Sequence, residues 1–368
     1  MEVNSTLRCD ALIDEFFEKV NKDFSILLVS PMPPLIGGIS ISVDRLYKRL
    51  KADGYEVDVF SLSFKNDLLN SRWMRMLKFC LLPFFLLFHR KYDIIHCHTT
   101  GSFRWYYATM CKRLFSKKSK LVFTLHGDAK SAIKSSKLKR LGKYTDLLIC
   151  VQPGDASRVT ETFGIAAVDI PAFIYPDKDS IDTSLIPPEI DSFVEKAEAP
   201  VMIVTGSVVL WPQMYDLYGF SDALSNYLRL RDAGINCRLL MILTGKMGGH
   251  QKEYVNSLIS QVDGDENVKI VLDSHFPLLP LLPKSKIFLR PTKTDGDALS
   301  VREALASNCC VIASDVSVRP EGTLVYHTLD DLFILSKKVL TGQEKISSFL
   351  SLDFYDDIVS SYQNLMTK

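Results

Sequence analysis

Two carboxylates, Asp295 and Glu303, stand eight residues apart in the run TDGDALSVREALASNCCVIASD. Between them lies a glycine-bearing loop, Gly296-Asp297-Ala298-Leu299-Ser300, which follows a strand-like run and opens a helical one. Backbone N–H groups in such a loop and in the first turn of a helix have no partner inside the helix and carry partial positive charge. They suit a diphosphate, and carboxylates on either side suit the hydroxyls of a sugar. Ser300-Val301-Arg302-Glu303 also reads as an S-x-x-E capping box, which would explain Glu303 without any ligand by closing it back on the Ser300 N–H. The residues alone leave both readings open.

Other chemistry-bearing residues are fewer. Gly37 and Gly38, in PPLIGGISIS, separate the first strand from the first helix, where glycine lets backbone N–H groups approach an anion or simply makes a tight turn. The dinucleotide fingerprint G-x-G-x-x-G is absent. His126, in FTLHGD, ends a strand beside Gly127; His96 and His98, in DIIHCHT, alternate along another and so share a face. The pair suggests a metal site, but no third ligand stands at a readable spacing, and a structural role is the simpler reading.

The elements that must position these residues follow a strand-then-helix rhythm. FSILLVS, YEVDVFSL, YDIIHCHT, SKLVFTLHGD and TDLLICVQ are strand signals separated by helical spacing, which predicts parallel βαβ units. The rhythm restarts in VMIVTGS, RLLMILTG, VKIVLD, SKIFLRPT and CVIASD. Between the two series, residues 176–200 are polar and proline-marked and predict a linker. The predicted organisation is a first domain over 1–175, that linker, a second domain over 201–345, and a helical segment over 346–368 that packs back on the first domain. A chain of 368 residues exceeds the size at which one core keeps growing, which also favours two domains.

Composition narrows the class further. A net charge of +1 with 47% hydrophobic residues excludes a disordered or nucleic-acid-coating protein. Eight cysteines without a C-x-x-C pair, mostly inside apolar runs, fit reduced thiols in a cytoplasm. The polar, acidic start MEVNSTLRCDALIDEFFEKV does not resemble a signal peptide. SRWMRMLKFCLLPFFLLFHRK, residues 71–91, has an apolar centre too short for a bilayer span of about 20 residues. It predicts a buried helix or, because basic residues flank its aromatics, a segment lying in a membrane interface. From Arg104 to Lys143 twelve Lys and Arg stand against one acid, Asp128, an excess suited to anionic lipid or phosphate or simply to a solvated basic helix.

In combination these residues resemble a known family. Asp295 and Glu303, followed by REALASNCCVIASDV, look like the E-x7-E signature of retaining glycosyltransferases of family 4. The likeness takes in Gly37-Gly38, DIIHCHT, TLHGD at His126 and TGKMGG at Gly245, and so spans both domains. It implies the GT-B fold, two Rossmann-like doubly wound α/β domains facing a central cleft. It further implies a catalytic set of His126, Asp295 and Glu303. Glu303 would hold the donor's ribose hydroxyls, Asp295 the transferred sugar, and the backbone of Gly296, Asp297, Ala298, Leu299 and Ser300 the diphosphate. His126 would lie against the donor sugar, and Gly37 and Gly38 near the diphosphate and acceptor.

Two departures stand out. Asp295 is one methylene shorter than the usual Glu. The second domain's first strand, which in the family leads to G-R and then Lys, here leads through Gly206-Ser207 to Pro212-Gln213, without the cations. Beside Gly245, Lys246 is one substitute; Arg290, Lys293 and Arg302 are others. The activity implied is transfer of a hexose-type sugar, with retention and without a metal or cofactor, from a nucleoside diphosphate sugar to a saccharide or lipid-linked acceptor in cell-surface polysaccharide or glycolipid synthesis. It would take place in the cytoplasm at the inner membrane face, with peripheral contact to anionic lipid. A noncatalytic nucleotide-sugar-binding or membrane-scaffold protein, or a nucleotide-sugar epimerase, are the alternatives on the same architecture.

Overall fold

The computed structural model describes residues 24–33, 37–64, 72–89, 92–99, 102–127, 129, 133–134, 142–177, 181–195, 199–210, 216–245, 247–272, 276–344 and 353–367. The chain divides into two compact units, Met1–Tyr175 with Asp353–Lys368, and Pro176–Leu352.

In the first unit six parallel strands lie in the order β2-β1-β3-β4-β5-β6: β1 (Ser25–Ser30), β2 (Glu56–Ser61), β3 (Ile94–Thr99), β4 (Lys120–Leu125), β5 (Leu147–Cys150) and β6 (Ala167–Asp169). β1 is buried at every position, as a parallel strand covered on both faces must be. One face packs under α2 (Arg72–Cys80), α3 (Leu82–Phe88), α4 (Ser102–Phe115) and α5 (Asp155–Phe163) through Phe79, Leu86, Trp105 and Val159. The other packs under α1 (Gly38–Ala52) and α11 (Tyr355–Met366) through Leu46, Tyr362 and Leu365. The C-terminal helix thus belongs to the first unit. Arg49 pairs with Asp353, and Tyr355 donates to Asp53 at 2.6 Å.

In the second unit the order is β12-β11-β10-β7-β8-β9, again parallel: β7 (Val201–Ser207), β8 (Arg238–Thr244), β9 (Val268–Leu272), β10 (Ile287–Arg290), β11 (Cys310–Ser314) and β12 (Thr323–Tyr326). Helices α7 (Phe220–Asp232), α8 (Gly249–Ser260) and α10 (Leu329–Leu340) cover one face; α6 (Pro188–Glu195) and α9 (Leu299–Ala306) cover the other. Residues 176–200, read as a linker, fall in this unit. Their α6 buries Ile190, Phe193 and Val194 against the sheet, because its apolar positions recur at helical spacing.

The segment over 71–91 differs from a buried helix. Phe79, Leu82 and Leu86 enter the core, while Leu77, Leu81, Phe84, Leu87 and Phe88 stay exposed, Phe88 at 78%. Two short helices broken at Leu81 carry more apolar side chains than one face can bury. Among the described residues no helix is long and apolar enough to cross a membrane.

Candidate functional site

Open parallel sheets bind ligands beyond the carboxyl ends of their strands, where the strand order reverses. In the second sheet that reversal falls between β7 and β10, which pair through Met202 with Ile287 and Val204 with Leu289. Gly206 and Ser207 end β7 there, and Arg290 ends β10. The loop after β10 runs through Asp295 to α9. The N-cap of α9 is Ala298, extended at φ −75° and ψ 111°, and no side chain caps the helix. Ser300 is therefore already inside the helix, and the capping box read in the sequence does not form at it. The Ala298 carbonyl instead accepts from Val301 and Arg302, at 3.0 and 3.3 Å. Glu303 is 7% exposed.

Three arginine–carboxylate contacts hold this loop. Asp295 accepts from Arg290 Nε at 3.0 Å and Nη2 at 2.9 Å, from Arg319 Nη1 at 2.7 Å and from its neighbour Gly296 N–H at 3.2 Å. Arg302 Nε donates to Asp297 at 2.7 Å. Burial would raise the Asp295 pKa, but the hydrogen bonds and charges of Arg290 and Arg319 outweigh it and hold the carboxylate ionised below its usual range. Each Asp295 oxygen meets two donors, so the four acceptor directions of the carboxylate are taken. A sugar hydroxyl would have to displace one of them, which differs from the expectation that Asp295 is presented directly to a ligand.

Arg290 is clamped from a second side by Tyr218, whose ring centroid lies 5.1 Å from its guanidinium carbon. Gly206 makes room for that ring: a Cβ there would fall 2.3 Å from a Tyr218 carbon. Gly206 thus has a packing reason of its own. Gly219, left-handed at φ 71°, likewise lets the start of α7 reach the carbonyl of Pro291, from which a Cβ would stand 2.0 Å. Ser207 Oγ lies 3.2 Å from Thr244 Oγ1, and Gly245, at φ 91°, turns the chain out of β8. Lys293 pairs with Asp222 and is 47% exposed. Lys246 and Pro212-Gln213 lie outside the described residues, as do several of the basic residues between Lys130 and Arg140.

In the first sheet the order reverses between β1 and β3. Gly37 precedes α1 with extended backbone, φ −177°, and neither it nor Gly38 needs glycine for its packing: an added Cβ would meet only Ser40 Oγ, at 3.9 Å, or nothing. Neither glycine is in the left-handed region. His126 follows β4 and is half-buried, and burial lowers its pKa to about 4. His96 and His98 do share a face, with ring centroids 3.8 Å apart. Among the described residues no group of three or more His, Cys, Asp or Glu is arranged to hold a metal.

Residues 36–175 match the model of the family described as Glycosyltransferase Family 4. No curated protein matches the sequence. Solved structures similar to it include a glycosyltransferase from Rickettsia africae ESF-5, 14% identical, with 94% of each chain covered and a TM-score of 0.61. Another is the catalytic domain of starch synthase IV from Arabidopsis thaliana bound to ADP and acarbose, 12% identical, covering 94% of this chain and 99% of that one, TM-score 0.68. A third is an α,α-trehalose-phosphate synthase (UDP-forming) from Burkholderia xenovorans in complex with glucose-6-phosphate, 13% identical, covering 93% and 97%, TM-score 0.64. The chain has the GT-B fold.

Within the GT-B architecture the predicted site residues divide between the two units. The first holds Gly37, Gly38 and His126; the second holds Gly206, Ser207, Gly245, Arg290, Asp295, Gly296 to Ser300 and Glu303. In the second unit the structure gathers Arg290, Asp295 and the loop into one network, and adds Arg319 and Tyr218, which the sequence reading missed. Arg319 sits in an irregular stretch after β11 with no periodicity to mark it. Its one legible signal was being an arginine beyond the carboxyl end of a strand of the GT-B second sheet.

Proposed function

We propose that the chain is a retaining, metal-independent glycosyltransferase that uses a nucleoside diphosphate sugar. The observation that carries this reading is the uncapped N-terminus of α9 at the reversal point of the second sheet, with Arg290 held beside its loop. The starch synthase structure was solved with ADP, and the trehalose-phosphate synthase is UDP-forming, which supports a nucleoside diphosphate as the ligand here. In the proposed reaction the bond from the anomeric carbon to the diphosphate oxygen breaks, and the N–H groups of the α9 turn and the Arg290 guanidinium offset the charge that develops. The acceptor hydroxyl forms the new bond on the same face and gives its proton to the departing diphosphate. No carboxylate base is required.

Within this reading Glu303 holds the ribose hydroxyls, and His126 with the Gly37-Gly38 loop serves the sugar and acceptor. Asp295 serves by fixing Arg290, which takes the place of the missing Arg/Lys pair. The exposed Leu81, Phe84, Leu87 and Phe88 beside the basic first unit support a lipid-linked acceptor taken at an anionic, cytoplasmic membrane face, as in cell-surface polysaccharide or glycolipid synthesis. The test is a thermal-shift screen of the purified chain against ADP, UDP, GDP and their sugar derivatives, followed by an assay of diphosphate release. A ligand at 100 times its dissociation constant adds about 2.7 kcal/mol of stability. No shift with any of them sinks the donor reading; shifts without release support a binding protein instead.

A further inference from the structure

Arg290 and Arg319 share Asp295 but differ in what they keep free. Arg319 commits all three of its nitrogens: Nε donates to the Ser314 carbonyl at 2.8 Å, Nη1 to Asp295 at 2.7 Å and Nη2 to Ser314 Oγ at 3.2 Å. Arg290 commits Nε and Nη2 to Asp295, and its Nη1 meets no acceptor among the described residues. A guanidinium carries five N–H donors in a planar fork, so one edge of Arg290 is anchored while its Nη1 end is open to an oxyanion. Two bonds along one edge do not by themselves fix the tilt of the plane about that edge. The Tyr218 ring does, because it lies against one face of the guanidinium, its centroid 5.1 Å from the guanidinium carbon, within the reach of a cation–π contact.

Tyr218 is in turn held in register with Arg290. The Leu217 carbonyl accepts from the Lys293 N–H at 2.8 Å, and the Leu217 N–H donates to the Val209 carbonyl at 3.0 Å. Asp216 accepts from the Gly219 and Ser221 N–H groups at 3.0 and 2.9 Å and from Tyr254 Oη at 2.6 Å, while Gly219 packs on Pro291. These contacts tie residues 216–219 to the loop that follows β10. The ring then has its seat over Gly206, where a Cβ would fall 2.3 Å from Tyr218 Cδ1 and 2.4 Å from its Cγ. The Tyr218 hydroxyl makes no hydrogen bond among the described residues, so it is the ring that the fold uses here.

We propose that Tyr218 is a positioning residue for Arg290: its ring, seated over Gly206, holds the guanidinium so that the Nη1 end stays open to an oxygen of the diphosphate. Gly206 is then glycine in order to seat that ring, not to let a phosphate approach its own backbone. The diphosphate rests on the function proposed above, while the coupling of Gly206, Tyr218 and Arg290 does not.

The test is calorimetric titration of the purified chain and its variants with inorganic pyrophosphate, the part that every nucleoside diphosphate shares. Tyr218→Ala and Gly206→Ala are each expected to weaken binding by about two- to tenfold, the cost of ordering one long side chain when the ligand binds. Tyr218→Phe keeps the ring and is expected to bind as the unaltered chain does. The losses should not add: Gly206→Ala should cost nothing further in Tyr218→Ala, and Tyr218→Ala nothing further in Arg290→Gln. Additive losses in either pair overturn the proposal, because a glycine that the phosphate itself needs, or a tyrosine acting only through the fold, would lose as much in both backgrounds. Tyr218→Phe binding as poorly as Tyr218→Ala overturns it too, by making the hydroxyl the working group. If Tyr218→Ala does not fold, Tyr218→Leu, which keeps apolar bulk without a ring face, takes its place in the Arg290 pair. Binding of pyrophosphate with no response to ADP, UDP or GDP would count against the proposed function, and the pyrophosphate titrations would still decide the role of Tyr218. No binding of pyrophosphate by the unaltered chain overturns both.

Discussion

Replacing Asp295 by Asn tests whether that carboxylate works through Arg290. The change keeps the shape and removes the charge. In the native structure the side chains of Arg290, Asp295 and Arg319 are 11%, 8% and 3% exposed, so both guanidiniums would be left nearly dry beside a neutral amide. The amide also turns one acceptor oxygen into an NH2 group, which faces guanidinium N–H donors. Breaking a buried ion pair by removing one partner costs about 3 to 5 kcal/mol. For a unit of this size each kcal/mol moves the melting midpoint by roughly 2 to 4 °C, so a fall of about 6 to 20 °C is expected. Because Arg290 loses one of its two hydrogen bonds to residue 295 together with the opposing charge, affinity for the bare nucleoside diphosphate should fall too, by about tenfold for each 1.4 kcal/mol of lost contact. Calorimetric titration with the diphosphate alone and with the full nucleotide sugar separates the roles. A melting point within a degree or two of native, with loss only for the full nucleotide sugar, would refute the positioning argument and restore Asp295 as a direct sugar ligand.

Glu303→Gln should lower nucleotide affinity by about tenfold, the loss of one charge-assisted bond; unchanged affinity in titration would remove it from the site. The buried His96 and His98 and the half-buried His126 make the first unit sensitive to acid. The unfolded chain takes up their protons near pH 6.5, whereas in the folded chain His126 does so only at about 4, His96 at about 3 and His98 well below its ordinary value, so their contribution is constant above about pH 7 and stability falls as the pH drops below 6.5. The loss at pH 5 should be on the order of 2 kcal/mol each for His96 and His126, and equal urea midpoints at pH 7.5 and pH 5 would contradict it. The chain should float with anionic vesicles more strongly than with neutral ones, and less as salt rises, at about 1 kcal/mol per basic residue near the surface. Phe84→Ser with Phe88→Ser should weaken that binding, and equal flotation with neutral vesicles rejects the electrostatic part.

Much of this architecture is local in origin, which is why it was legible. Ten of the strands announce themselves in the sequence: most are β-branched and apolar runs, because a strand buried on both faces must be apolar, while the edge strands β2 and β9 keep enough apolar positions to be read although they are partly exposed. β6 and β12, half-exposed edge strands only three and four residues long, are too short to stand out as runs and were missed. The glycine loops and the acidic pair could be singled out as candidate ligand positions because backbone freedom and charge are properties of single residues.

What the chain does with those residues was decided in three dimensions. Arg319 reaches Asp295 from 24 positions away, and Tyr362 reaches His96 from 266 away. No spacing rule connects either pair, since the sheet order and helix packing alone bring them together. The start of α9 shows the same limit at short range. Ser300 and Glu303 have the spacing of a capping box, but a cap forms only where the backbone leaves the helix, and here it does so at Ala298, in a loop held by Arg290, Arg319 and Arg302. Sequence determined which groups were present and which elements carried them. Tertiary structure decided their partners, because the energy of a buried charge or imidazole depends on what stands within about 3 Å of it rather than on its neighbours along the chain.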